Sequence, residues 1–245
     1  MELLTNYLEF NGSKIVSDGE AFLKRSLLWV LIVIVGFSIS CKSDNNTLKG
    51  PGTVFIHQKA ASLKLYRKAF MEQAQNLKAN GVSAYSLHRD LKDPYAYILT
   101  LKCSDLQKGV SFIRSPGYMA TMDKAWAKIP MIWYGLDTDE RKYTNQPHVT
   151  GGIVIAINQV RDYDFWLKCF KSESHNHPGR KYKNSNYSIH HLPGSPAVAI
   201  VAHEASDVSK APSFMISDPM NGEMEATGVI GLEIWYGINV EEGVF

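Results

Sequence analysis

The sequence predicts an α+β protein in which one β-α-β-β-α-β unit is written twice. Three observations carry this. Tyr85-Ser86-Leu87-His88 recurs as Tyr187-Ser188-Ile189-His190, and Ile132-Trp133-Tyr134-Gly135 recurs as Ile234-Trp235-Tyr236-Gly237, both at an offset of 102 residues. Between them the same offset pairs Pro94 with Pro196, Ser104-Asp105 with Ser206-Asp207, Ser111-Phe112 with Ser213-Phe214 and Met122 with Met224, without a gap. Within each unit, runs of β-branched and aromatic residues alternate with segments of helical period. One register kept over that length, with two tryptophans in place, is a duplication.

Each element has its own justification. Val54-Phe55-Ile56-His57 and Ile153 to Ile157 read as strands. Leu63 to Ala79 carries Leu65, Ala69, Phe70, Ala74 and Leu77 at helical spacing and ends at Asn80-Gly81, a C-cap signal. Its counterpart, Asp164 to Lys171, is shorter; Tyr66 and Phe70 of the first copy stand opposite Trp166 and Phe170 of the second. Val82 to His88, a turn at Lys92-Asp93-Pro94, and Tyr95 to Leu101 form a hairpin. A helix follows from about Asp105 to Lys124, with Ser104-Asp105 able to cap it, and the strand Met131 to Gly135 closes the unit. The units cover residues 53–137 and 153–245, and the polar segment 138–152, which contains Pro147, reads as the linker. This element order is the ferredoxin-like split βαβ unit, whose sheet carries helices on one face only. The bare face must be covered. A second copy on the same chain covers it sheet to sheet, giving an intramolecular barrel and, by expectation, a monomer.

The amino terminus predicts an address. Lys24-Arg25 precede the apolar run Leu27 to Ser40, and Cys41 follows directly. A basic stretch, a short apolar stretch and small residues at the cut describe a secretory signal over residues 1–40. Ser38-Ile39-Ser40-Cys41 resembles a bacterial lipobox, with Ser38 departing from the usual aliphatic residue. The resemblance implies lipidation at Cys41 and a polar tether over residues 41–52. The expected location is the cell envelope, anchored to a membrane and facing the periplasm or the exterior. Cys103 and Cys169 are far apart in sequence, align with Ala205 and Ala69, and read as small buried residues.

Ser111-Phe112-x-x-Ser115-Pro116, Met122 and the closing aromatic strand resemble the antibiotic-biosynthesis-monooxygenase group of the dimeric α+β barrel superfamily. In the second unit Asp162-Tyr163-Asp164-Phe165-Trp166, Phe170, Gly179-Arg180 and Thr227-Gly228-Val229 are similar to the same group. The resemblance implies a space between the two sheets. The group includes cofactor-free monooxygenases, isomerases, cyclases and haem-dependent enzymes, so it implies no single reaction. No cofactor is predicted, and haem is left open.

Composition narrows the function classes. With 45% apolar and 20% charged residues the chain is globular, and a net charge of +2 with dispersed Lys and Arg excludes a nucleic-acid footprint. No phosphate-cradling glycine loop, serine-hydrolase elbow or paired-carboxylate motif occurs. Strand alternation selects the candidates. Val54 and Ile56, aligned with Ile155 and Ile157, are assigned to the helix side. Phe55, His57, Ala156 and Asn158 are then expected to face the space between the sheets. His88 and His190 are the histidines kept in both copies. His57, His88 and His190 are the candidate bases. Tyr97 and His203, where the copies differ, complete the expected ligand set of Phe55, His57, Tyr97, Asn158 and His203. Trp133-Tyr134 and Trp235-Tyr236 read as packing. His175-Asn176-His177 reads as a surface loop, since two histidines fall short of a structural zinc set. The expected role is binding of a small apolar or aromatic molecule. The alternatives are a cofactor-independent monooxygenase, isomerase or cyclase, and a non-catalytic interaction module.

Overall fold

The computed structural model describes residues 48–141, 151–173, 186–194, 196–215, 222 and 224–245. The expected signal segment, Cys41, His175-Asn176-His177 and most of the expected linker lie outside them. Among the described residues no helix is long and apolar enough to cross a membrane.

Eight strands form the barrel: β1 (Gly52–Lys59), β2 (Val82–Asp90), β3 (Ala96–Cys103), β4 (Met131–Arg141), β5 (Gly152–Val160), β6 (Tyr187–Leu192), β7 (Ala197–Ala205) and β8 (Val229–Val244). The helices are α1 (Leu63–Glu72), α2 (Ala74–Ala79), α3 (Leu106–Ile113), α4 (Pro116–Asp123), α5 (Tyr163–Glu173) and α6 (Ala211–Met215). The strand order around the closed barrel is β4-β1-β3-β2-β8-β5-β7-β6, and β6 closes on β4. Every pairing is antiparallel. The two halves therefore repeat one strand order and join edge to edge, β2 on β8 and β4 on β6. Closure leaves no unpaired sheet edge.

Local chemistry sets the helix ends. Ser62, Asp105 and Ser115 each accept a hydrogen bond from a first-turn backbone N–H, of Leu65, Lys108 and Tyr118. Each thereby satisfies a donor that the helix cannot. The long helix expected over 105–124 is two helices, because Pro116 lacks the N–H needed to continue and starts a new helix at its first position. The helix expected over 63–79 is likewise broken at Gln73, whose side chain donates to Thr121 Oγ1 at 2.8 Å. Gly81 takes φ +82° after α2, the left-handed geometry that glycine adopts freely. β4 runs on through Arg141, into the segment expected to be linker, because it pairs there with β6 across a bulge.

The strands are apolar on both faces. Outside the first half, α1 to α4 cover Val54, Ile56, Leu87, Tyr97, Leu99, Leu101 and Tyr134. Outside the second half, Val201 and Ala199 pack against Trp166, and Val154 and Tyr236 against Val208 and Ala211. Inside the barrel Phe55, Ile98, Ile153, Ile155, Ile157, Val198, Ile200, Ala202 and Trp235 form one buried cluster. Fully burying such a side chain stabilises by roughly 1.5–3 kcal/mol. The barrel interior is therefore a core in its own right.

Candidate functional site

Polar side chains enter this interior in two groups. The first lies towards the end of the barrel where β1 and β2 finish. His57 Nε2 meets Asp90 Oδ2 at 3.1 Å, and Asp90 Oδ1 accepts from the backbone N–H of Lys92 and Asp93 at 2.7 and 3.0 Å. Burial acts to raise the Asp90 pKa, but these hydrogen bonds outweigh it and hold the carboxyl below its ordinary value. Asp90 is thus an acceptor, and His57 Nε2 is the donor. The His57 ring stacks on Trp235 with centroids 5.2 Å apart. Trp235 Nε1–H donates to Glu233 Oε1 at 2.7 Å, and Trp133 Nε1–H donates to Glu233 Oε2 at 3.2 Å. One carboxylate therefore fixes two indoles from opposite halves. In the duplicated register its mate is Met131, which is exposed.

The second group lies towards the other end. His190 Nδ1 meets Asp137 Oδ1 at 2.7 Å, and His190 Nε2 meets Ser188 Oγ at 2.8 Å. Thr53 Oγ1 also donates to Asp137 Oδ1, at 2.9 Å. Burial works to raise the Asp137 pKa; the bonds from His190 and Thr53 and the nearby charge of Lys102 outweigh it and hold the carboxyl low. Asp137 accepts, so Nδ1 carries the imidazole proton and Nε2 is left to accept from the serine hydroxyl. Phe55 packs edge-on against the His190 ring, with centroids 5.0 Å apart.

The first half holds a reduced copy of this arrangement. His88 Nε2 meets Ser86 Oγ at 3.1 Å, but the residue opposite His88 on β8 is Asn239. His88 Nδ1 and Asn239 Oδ1 are both buried without a hydrogen-bond partner. Burial pushes the His88 pKa down to about 4, so the ring is neutral at pH 7. Both histidines owe their room to glycine. A Cβ added at Gly237 would stand 2.6 Å from His88 Cβ, and one at Gly135 would stand 3.0 Å from His190 Cβ.

The expected site residues divide accordingly. Phe55, His57, His88 and His190 all face the barrel interior. Asn158 does not: it is on the outer face, buried, with Nδ2 donating to Ala156 O and Ala199 O at 3.3 and 3.2 Å. Ala156 lies on that same outer face, and Ile155 and Ile157 point inward, the reverse of the expected assignment. The reason is register. Gly52 pairs with Cys103 and Leu136, and Gly152 with Ala205 and Ile238, so the first strands align at an offset of 100 rather than 101. A slip of one residue exchanges the two faces of a strand. Tyr97 also faces outward, stacked on Tyr66 of α1 with centroids 5.2 Å apart. His203 lies on the outer side against Phe170 of α5 and Tyr187. Sequence reasoning missed Asp90, Asp137, Glu233, Ser86 and Ser188. Ser86 and Ser188 did carry a signal, since each stands two residues before a retained histidine and so on the same strand face.

Cys103 is buried and free, and its thiol is pushed up to about 12 by burial, with Asp137 and Asp105 adding to the effect; Cys169 is free and half-buried. Among the described residues no group of three or more His, Cys, Asp or Glu side chains is placed to hold a metal ion.

No protein-family profile and no curated protein matches the chain. Solved structures do. The chain is similar to a proposed monooxygenase from Fusobacterium nucleatum (8% identity, TM-score 0.54), with 80% of this chain and 95% of that one covered. It is similar to a chlorite dismutase variant from Candidatus Nitrospira defluvii (10% identity, TM-score 0.54, 82% and 95% covered). It is also similar to an anthrone oxidase-like protein (9% identity, TM-score 0.53, 80% and 93% covered). At these identities the likeness establishes a shared fold, that of the α+β barrels. Phe55, Ile98, Ile155, Ile200 and Trp235, all nearly inaccessible, fill the barrel interior, and that space does not fit a haem.

Proposed function

We propose that this chain is a lipid-anchored protein of the cell envelope whose barrel takes a small apolar or aromatic molecule at the mouth lined by Trp133 and His57, with the buried Trp235 beneath them. In this reading the two ferredoxin-like halves arose by tandem duplication and complete one barrel within a monomer. The observation that carries the ligand reading is Glu233 holding both indoles, with the His57 ring stacked on one of them. Fixed aromatic faces offer dispersion and π contact at little further cost in side-chain freedom. The filled interior below them keeps the ligand at the mouth.

The test is titration of the protein with the neutral aromatic probe N-phenyl-1-naphthylamine, followed by tryptophan fluorescence. The reading expects saturable one-to-one binding that Trp133→Leu weakens at least tenfold, about 1.4 kcal/mol. Linear, non-saturating uptake, or binding indifferent to Trp133→Leu, would refute it. Metabolic labelling with palmitate, lost in Cys41→Ala, tests the anchor.

A second reading, a cofactor-independent enzyme, is favoured by one observation: His57 is paired with a carboxylate beside that same aromatic surface. An imidazole so held can move a proton to or from a bound molecule. Turnover that disappears in His57→Ala while probe binding persists would select this reading.

A further inference from the structure

The Asp137–His190–Ser188 group has the connectivity of a nucleophile-activating triad, and it is separate from the aromatic mouth. β1 runs from Thr53 beside the triad to His57 beside the tryptophans. Carboxylate, Nδ1, Nε2 and hydroxyl follow one another at 2.7 and 2.8 Å, in the order that lets an imidazole take a serine proton. Such triads are defined by geometry, whatever fold or chain order supplies the residues. Here serine and histidine come from one face of β6, and the carboxylate from the register position opposite, Asp137↔His190 on β4. His190 is 2% exposed, Ser188 is half-buried and the Asp137 side chain is 38% exposed, so the nucleophile can be reached while its base is shielded.

An independent observation comes from the other half. The duplicated Ser86–His88 pair lacks the carboxylate, and its Nδ1 is orphaned. The fold therefore keeps serine and histidine with or without the acid, and the full set exists once. A purely structural serine–histidine bond would not need Asp137, whose own charge is supported by a second donor, Thr53.

We propose that Ser188 is a nucleophile activated by His190, with Asp137 as positioning residue, in an acyl-transfer site for small uncharged carboxylic esters. Ser188 Oγ attacks the carbonyl carbon while its proton passes to His190 Nε2. The C–O bond to the alcohol breaks, and the leaving alkoxide takes that proton from His190. Water then attacks the acyl-serine, giving its proton to His190, and the carboxylic acid leaves as the serine regains its hydrogen. No oxidant or reductant is consumed. The uncharged class follows from the surroundings: Glu140, opposite Ser188 on β4, is already paired with Lys102 at 3.2 Å, and Glu204 accepts from Asn186 at the same end, so these charged groups are engaged with the protein itself.

The test uses the full chain and diisopropyl fluorophosphate, which forms a Ser–O–P bond with loss of fluoride. Intact mass and peptide mapping are expected to show one adduct per chain, on Ser188. Ser188→Ala abolishes it, Ser86→Ala leaves it unchanged, and Asp137→Asn slows labelling about 10³–10⁴-fold with the melting temperature held. Asp137→Glu recovers part of that rate. Because Ser188→Ala removes one exposed-side hydroxyl, folding is checked by circular dichroism. Should it unfold, Ser188→Cys supplies the second readout, with iodoacetamide alkylation faster than in Ser188→Cys/Asp137→Asn. No adduct, an adduct on Ser86, or a labelling rate indifferent to Asp137→Asn overturns the proposal.

Discussion

Acid should destabilise this barrel through His88, and the size of the effect follows from its burial. The ring is nearly inaccessible, and burial moves its pKa from 6.5 down to about 4. Between those values the unfolded chain binds a proton that the folded chain refuses. The folded state is therefore favoured fully above pH 6.5, and loses that advantage as pH falls towards 4, below which both states are protonated. The slope in this window is about 1.4 kcal/mol per pH unit, and the whole loss about 3 kcal/mol. His88→Leu removes the titration while keeping most of the volume, and forfeits only the bond to Ser86. Urea unfolding of both proteins at pH 7, 6, 5 and 4 isolates the effect, because groups titrating equally in both cancel in the difference. The variant is expected to gain steadily on the wild type, by about 3 kcal/mol at pH 4. Parallel curves would refute the reasoning. They would mean that the folded barrel accepts the proton, with Nδ1–H turning to the unpartnered Asn239 Oδ1.

Two further outcomes follow from the same coordinates. Gly237→Ala forces a methyl to 2.6 Å of His88 Cβ and 3.1 Å of Ile153 Cγ2, and should cost about 1–3 kcal/mol in denaturant unfolding, more than Gly135→Ala with its 3.0 Å approach to His190. In a Cys41→Ser background, Ellman's reagent at pH 8 should modify Cys169 at least tenfold faster than Cys103, whose thiol is buried and held near its protonated form; equal rates would show that the α3 side of the barrel opens readily.

The strand order common to both halves was legible in the sequence because two tryptophan-tyrosine-glycine strands and two serine-x-histidine strands keep one offset. The faces of the strands were less so. Alternation reveals orientation when one face is wet, but here helices cover the outside and side chains fill the inside, so both faces read as apolar. Tyr97 and His203 were misplaced for that reason. Asn158 was misplaced by one residue of alignment, although the helix pair Tyr66/Trp166 and Phe70/Phe170 already stood at the correct offset of 100. Carried back one strand, that offset sets Asn158 opposite Gln58, another outer-face amide, which donates to Lys128 O at 2.6 Å. The carboxylates Asp90, Asp137 and Glu233 were invisible because each acquires its role only when strands from distant sequence close on one another.

The polar residues inside the barrel show where the two halves differ. Trp133 and Trp235 remain as a pair, and so do His88 and His190, Ser86 and Ser188, and Gly135 and Gly237. These are the parts that any such barrel needs to fill its axis and to seat two imidazoles. The charges differ. Asp137 faces Asn239, Thr53 faces Ile153, and Glu233 faces Met131 in the duplicated register. A carboxylate drawn partly out of water is costly unless donors surround it, and Asp137 keeps 38% of its side chain exposed. Asp137 has two side-chain donors, one of them Thr53, and the other half lacks the threonine as well as the acid. Acid and donor are thus present together in one half and absent together in the other, as expected of a partly desolvated carboxylate that relies on its donors. The same logic applies at the mouth, where a single glutamate is held by two indole N–H groups and a second would have none. The halves share one strand order but not their acidic groups: Asp137 with its donor Thr53 belongs to one and Glu233 to the other, so the two ends of the barrel carry different chemistry.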